Sequence, residues 1–146
     1  MLAPAIAFDR ATKRYGDLLA LSELTLEVPP GVVFALVGPN GAGKTTAIGL
    51  LTGLLAPTSG SAAVFGVDVA ADPVEAKRRI GFVPDRPWLW PRWTPRETLR
   101  FVGAVFGAKG TALEERIEAE LAAFGLDDAA DRTNETLSHG TRQKVA

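Results

Sequence analysis

A run of six apolar residues, VVFALV at positions 32–37, leads directly into GPNGAGKTT at positions 38–46, and helically spaced apolar residues follow. No other part of the chain constrains the fold as strongly. A run that is apolar on every side reads as a strand covered on both faces. Ala47, Ile48, Leu51, Leu54 and Leu55 read as one face of a helix, which Pro57 ends. The segment between them fits G-x-x-x-x-G-K-[ST] in the strand–loop–helix setting that the pattern requires. Its glycines let the backbone wrap closely, so that successive N–H groups point at one phosphate. Lys44 is expected at the β- and γ-phosphates, and the Thr45 hydroxyl at Mg2+. The helix start turns its positive dipole end toward the same anion. The bland alternative is a glycine-rich turn that binds nothing.

The rest of the chain reads as a β-rich part followed by helices. Residues 5–9, 24–28 and 61–65 are expected strands, and residues 80–83 (IGFV) a further buried one. Asp72 and Pro73 open a short helix as N-cap and first helical residue. Thr94 with Glu97, and Thr111 with Glu114, fit the capping box and predict two more helices. Leu99, Val102, Val105 and Phe106 form one apolar stripe, and Leu113, Ile117, Leu121 and Phe124 the next. Gly107 and Gly125 are expected helix stops. The boundary falls near Trp93, dividing residues 1–93 from 94–146.

A formal net charge of -1 provides no basic field to draw nucleic acid. The chain has no cysteine, which excludes disulfides and cysteine-ligated zinc. The opening residues MLAPAIAFDR lack a basic n-region and a sufficient apolar run for a secretory signal. The longest apolar stretch, AIGLLTGLLA at 47–56, falls short of the about 20 residues that span a bilayer.

With these motifs in place, the chain resembles the ATP-binding subunits of ABC transporters over essentially its whole length. The phosphate loop of that family usually reads as here, from Gly38, Pro39, Asn40, Gly41, Ala42, Gly43 and Lys44 to Thr45 and Thr46. The resemblance implies a P-loop NTPase fold of the ABC type (α/β, a mixed sheet plus a helical subdomain), with ATP and Mg2+ as cofactors. It places Tyr15 where the family stacks an aromatic ring on adenine, the alternative being a strand-end aromatic. It places Asp85 where the family carries a glutamine that touches Mg2+ and the attacking water. A carboxylate can still approach Mg2+, but it cannot donate a hydrogen bond as an amide can. Asp85 as a turn residue before Arg86-Pro87 is the alternative.

LSHGT at 137–141 resembles the family signature, usually LSGGQ, which clamps the nucleotide bound by a second copy. Leu137, Ser138 and Gly140 match; His139 and Thr141 depart from it. His139 is expected to be a solvent- or phosphate-facing residue at a helix start, since the family's catalytic histidine lies later. AAFGLDD at 122–128 imitates the family's acidic pair but reads as a helix end by its periodicity. The resemblance implies that the Mg2+-holding Asp, the catalytic Glu, the later histidine and further strands fall after Ala146. Residues 1–146 by themselves are therefore expected to be marginally stable and to hydrolyse little or no ATP.

RPWLWPRW at 86–93 holds all three tryptophans. In the family this region and the helical part receive the coupling helix of a membrane permease. Docking near Trp88 and Trp90 is expected, with at least one indole exposed and others filling the core. The function implied is ATP binding, with hydrolysis driving transport, in the export direction, from the inner face of the cell membrane. Alternatives are a soluble ABC ATPase acting on ribosomes or DNA, and a nucleotide-binding piece without catalysis.

Overall fold

In the computed structural model, which describes residues 3–146, the alternating N-terminal residues form two long strands. Met1 and Leu2, part of the stretch read for a leader, lie outside the described residues. Strands β1 (Ile6–Tyr15) and β2 (Leu18–Val28) pair antiparallel, with Ile6 opposite Val28 and Tyr15 opposite Leu18. Both are longer than the periodic stretches at 5–9 and 24–28. Register shifts interrupt the alternation between Phe8 and Ala11, where Arg10 adopts φ +45°. A bulge of this kind resets which side chain faces the core, and so it hides a strand from a period-two reading. The turn between the strands places Gly16 at φ +56°.

Helix α1 (Lys44–Leu51) packs Ala47 and Leu50 against Phe8, Ala11 and Ala62, forming one apolar core. Strand β3 (Ser59–Val64) pairs with β1, and β4 (Val67–Asp68) pairs with β3 through a two-residue turn. Phe65 and Gly66 both have positive φ there, the type I′ geometry that matches strand twist. The sheet order is β2-β1-β3-β4 and every pairing is antiparallel. Helix α2 (Pro73–Arg78) starts as expected, with the Asp72 carboxylate accepting from the Glu75 N–H at 3.1 Å.

The expected strands at 32–37 and 80–83 join no ladder. A ladder needs a neighbouring backbone to satisfy its N–H and C=O groups, and none runs beside either segment among the described residues. The alternation of residues 32–37 persists without pairing. Phe34 and Leu36 line an apolar cavity of about 300 Å³ with Ile6, Phe8, Ala47 and Ile48. Val33 and Val37 remain 103% and 88% exposed.

This unit ends at Phe82, and the second comprises Val83–Ala146. The composition change near Trp93 differs from this division because the tryptophan segment is bonded into the helices. Helix α3 (Pro95–Val105) carries the full capping box of Thr94 and Glu97. Helix α4 (Gly110–Ala123) does not form the second one. It begins at Gly110 with Lys109 as N-cap, so Thr111 already lies inside the helix and its hydroxyl caps nothing. Both helices stop where glycine predicts. Gly107 and Gly125 take φ +86° and +60°. The Ala108 N–H then donates to the Gly103 carbonyl, and the Leu126 N–H to that of Leu121, closing each helix in a Schellman motif.

Two short 3-10 turns (Asp127–Ala129 and Asn134–Thr136) lead to helix α5 (His139–Val145). Ile117, Leu121, Leu126, Ala130, Leu137 and Val145 form the core. Arg100 grips the Glu114 carboxylate with two bonds of 2.6 and 2.7 Å, joining α3 to α4. That bond is the main reason the Glu114 carboxyl is held below its ordinary pKa. No helix among the described residues is long and apolar enough to cross a membrane.

Candidate nucleotide site and its flanking segments

The glycine loop and the end of strand β1 share one cavity of about 450 Å³. Tyr15, Leu18, Leu19 and Ala20 line it on one side, and Asn40, Gly41, Gly43, Lys44, Thr45 and Thr46 on the other. Chain connectivity accounts for this. β1 ends at Tyr15 and the Gly16 turn sends β2 back, so that Leu18–Ala20 pass beside the start of α1. The approach is close: a Cβ on Gly43 would lie 2.8 Å from the Ala20 carbonyl oxygen. Gly43 also takes φ +84° and Gly41 φ +83°, the left-handed region in which glycine avoids strain.

Gly43 is the N-cap of α1 and has no side chain to bond the first turn. The leading N–H groups of that helix therefore lack side-chain partners and keep their attraction for an anion. The Lys44 ammonium curls back over the loop and donates to the Gly38 and Pro39 carbonyls, each at 2.6 Å. No acidic residue lines the cavity. Opposite the loop, Tyr15 is 46% exposed, with the Lys13 ammonium 5.1 Å from its ring centroid. The cavity thus offers anion-binding N–H groups and a cation beside a flat aromatic face. Among the described residues no group of three or more His, Cys, Asp or Glu side chains could cage a metal ion. Thr45 lies in the same lining, and its hydroxyl suits a cation whose other ligands are phosphate oxygens and water.

In the second unit, Leu137 is buried and Ser138 caps α5, its Oγ accepting from the Thr141 N–H at 3.1 Å. His139 is the first residue of that helix and is exposed, as is Gly140. Asp85 is exposed, and its carbonyl accepts from Gln143 Nε2 at 2.9 Å. None of the tryptophans is fully buried, so the expected core-filling indole is not found: Trp90 and Trp93 are half-buried and Trp88 is exposed. Trp90 and Trp93 stack with centroids 4.4 Å apart, and both meet Phe101 edge-on at 5.1 and 5.3 Å. Trp88 meets Trp90 edge-on and is 73% exposed.

Two groups escape sequence reasoning. Leu18, Leu19 and Ala20 join the cavity, and the signal was available: they follow the turn after Tyr15 at once. Asn134 had no signal. Its polar neighbours in RTNETLS suggest a loop, yet it is 1% exposed. Its Nδ2 donates to the Trp90 carbonyl at 3.0 Å and to Thr98 Oγ1 at 3.1 Å.

Comparison with known proteins gives consistent results. The family model described as ABC transporter matches residues 21–146. The chain is 37% identical over 135 residues to a probable multidrug ABC transporter ATP-binding protein of Escherichia coli K12, covering 92% of this chain and 23% of that protein. It is 35% identical over 144 residues to Nod factor export ATP-binding protein I of Cupriavidus pinatubonensis, covering 99% of this chain and 44% of that one. The chain therefore spans less than half the length of these curated relatives. A solved structure of an ATP-binding subunit of an ABC transporter superposes with a TM-score of 0.84 at 29% identity, over 99% of this chain and 59% of that one.

Proposed function

Because this chain belongs to the ABC transporter family of ATP-binding proteins, we propose that it binds Mg2+-ATP between Tyr15 and its glycine loop and drives transport through a separate membrane permease. The observation that carries the reading is the single cavity shared by Tyr15 and the residues of the loop. The bound nucleotide supplies the phosphoryl group that water attacks. Gly38, Pro39, Asn40, Gly41, Ala42 and Gly43 wrap the phosphates with backbone N–H groups (Pro39 only shapes the turn). Lys44 exchanges its two carbonyl acceptors for phosphate oxygens. Thr45 offers a hydroxyl to Mg2+, Thr46 continues the cradle, and Tyr15 stacks on the base. Ser138, His139 and Gly140 face the nucleotide held by a second copy, while Leu137, the first residue of that stretch, anchors it from within the core. Catalysis of this kind is positioning plus electrostatic stabilisation. Calorimetric titration with ATP tests the reading directly: absence of saturable binding heat sinks it.

Export is the proposed direction, since the similar proteins above are named for multidrug transport and Nod factor export. The subunit then sits on the inner membrane face. Asp85 takes the position that orients Mg2+ and water. On this reading Asp85→Ala slows turnover more than it weakens ATP binding, whereas Asp85→Gln keeps substantial activity. Steady-state kinetics of the three proteins check this, and equal rates would make Asp85 a turn residue only.

The permease docks near Trp88 and Trp90 on the helical unit. Aromatic residues anchor many interfaces, and Trp88 exposes most of its surface. Iodide quenching of tryptophan fluorescence is expected to fall when the permease is added. Quenching that stays constant on complex formation places the docking surface elsewhere.

A further inference from the structure

Residues 83–89 have no strand partner, and among the described residues they make one hydrogen bond, from Gln143 Nε2 to the Asp85 carbonyl at 2.9 Å. The donor sits on a fixed support. Val145 of the same helix is buried in the core, and the Lys144 ammonium donates to the Phe124 carbonyl at 3.0 Å. That helix is α5, whose N-cap is Ser138. We infer that Gln143 is a positioning residue that ties the Asp85 turn to the signature helix, so that the Asp85 carboxylate and Ser138 move as one piece. The inference rests on the proposed role of Asp85 at Mg2+ and water.

The opposite end of the tryptophan segment is tied to the approach to the same helix. The Asn134 N–H donates to the Trp93 carbonyl at 2.7 Å, and the Glu135 N–H to the Pro91 carbonyl at 3.0 Å. With Asn134 Nδ2 on the Trp90 carbonyl, residues 90–93 are held independently of Gln143. Gln143 therefore controls the Asp85 end alone. Removing its amide frees the Asp85 turn while leaving the indoles and the core in place. A displacement of α5 by the nucleotide of a second copy reaches Asp85 through this bond.

The test uses the transporter assembled with its permease. Gln143→Glu keeps the size of the side chain but replaces the donor with a group that repels the carbonyl. Gln143→Lys keeps a donor. The loss of one hydrogen bond predicts that kcat falls about two- to tenfold in Gln143→Glu and Gln143→Ala, with KM for ATP unchanged. Gln143→Lys stays near the wild-type rate. In the Asp85→Ala background, Gln143→Glu has no further effect on kcat, because the group it positions is gone. Wild-type kcat in Gln143→Glu while Asp85→Ala is slow overturns the inference alone, as does full multiplication of the two effects. A wild-type rate in Asp85→Ala itself removes the reading of Asp85 and the inference with it.

Discussion

Lys44→Ala is expected to lower ATP affinity by roughly ten- to a hundredfold. In the free protein the ammonium is already drawn over the loop by the Gly38 and Pro39 carbonyls at 2.6 Å each. Binding exchanges two neutral acceptors for anionic phosphate oxygens, and hydrogen bonds to charged groups contribute about 1.5–3 kcal/mol. The alanine variant loses that gain. It leaves the two carbonyls without the ammonium, but both belong to exposed residues, where water replaces the donor. Thermal stability should therefore change little while affinity falls. Titration calorimetry with ATP and a melting curve separate the two effects. Unchanged affinity removes the phosphate-loop assignment.

Gly43→Ala weakens ATP binding by a different route. A residue with a Cβ costs about 1–2 kcal/mol more than glycine in the left-handed region, and Gly43 has φ +84°. The new methyl group also meets the Ala20 carbonyl oxygen at 2.8 Å and Leu21 Cδ1 at 3.0 Å. The leucine side chain can yield. The carbonyl belongs to β2, so relief requires the start of α1 and β2 to separate. Those elements form opposite walls of the cavity. Restoring the binding geometry then costs the strain again, roughly a five- to thirtyfold loss in affinity. Gly41→Ala is the control: it shares the positive φ, at +83°, but its Cβ would meet nothing within 4 Å. Equal losses in the two variants would mean that backbone strain alone acts and the contact with β2 does not matter.

These substitutions differ in how much of their effect could be read before the fold was known. Lys44 lies in a local motif, and its position follows from neighbours a few residues away. Helix ends are equally local. Asp72, Thr94, Gly107 and Gly125 act through bonds to residues within one turn, and all four stand where their chemistry predicts. Thr111 fails only because the preceding residue also entered the helix. Strands are less legible, since their partners are distant. Bulges at Arg10 and Glu23 break the alternation of β1 and β2, and two apolar runs that look like strands make no ladder.

The chain by itself determined the phosphate loop and the helix ends at Asp72, Thr94, Gly107 and Gly125, because each depends on spacing within a few residues. It did not determine the apolar faces, since Val102, Val105, Phe106 and Phe124 are exposed and α1 stops at Leu51, before Leu54 and Leu55. It also determined the family, since the loop and the later LSHG stretch occur in one order along the chain. Only the tertiary structure decided that Leu18, Leu19 and Ala20 close the cavity opposite the loop, and that Gly43 must be glycine for lack of room beside Ala20. It also decided that Asn134 is buried and that Gln143 reaches Asp85, 58 residues away. These features come from contacts between distant segments. A polar side chain carries no local mark of whether its hydrogen-bond partner will be water or a backbone carbonyl brought in by the fold.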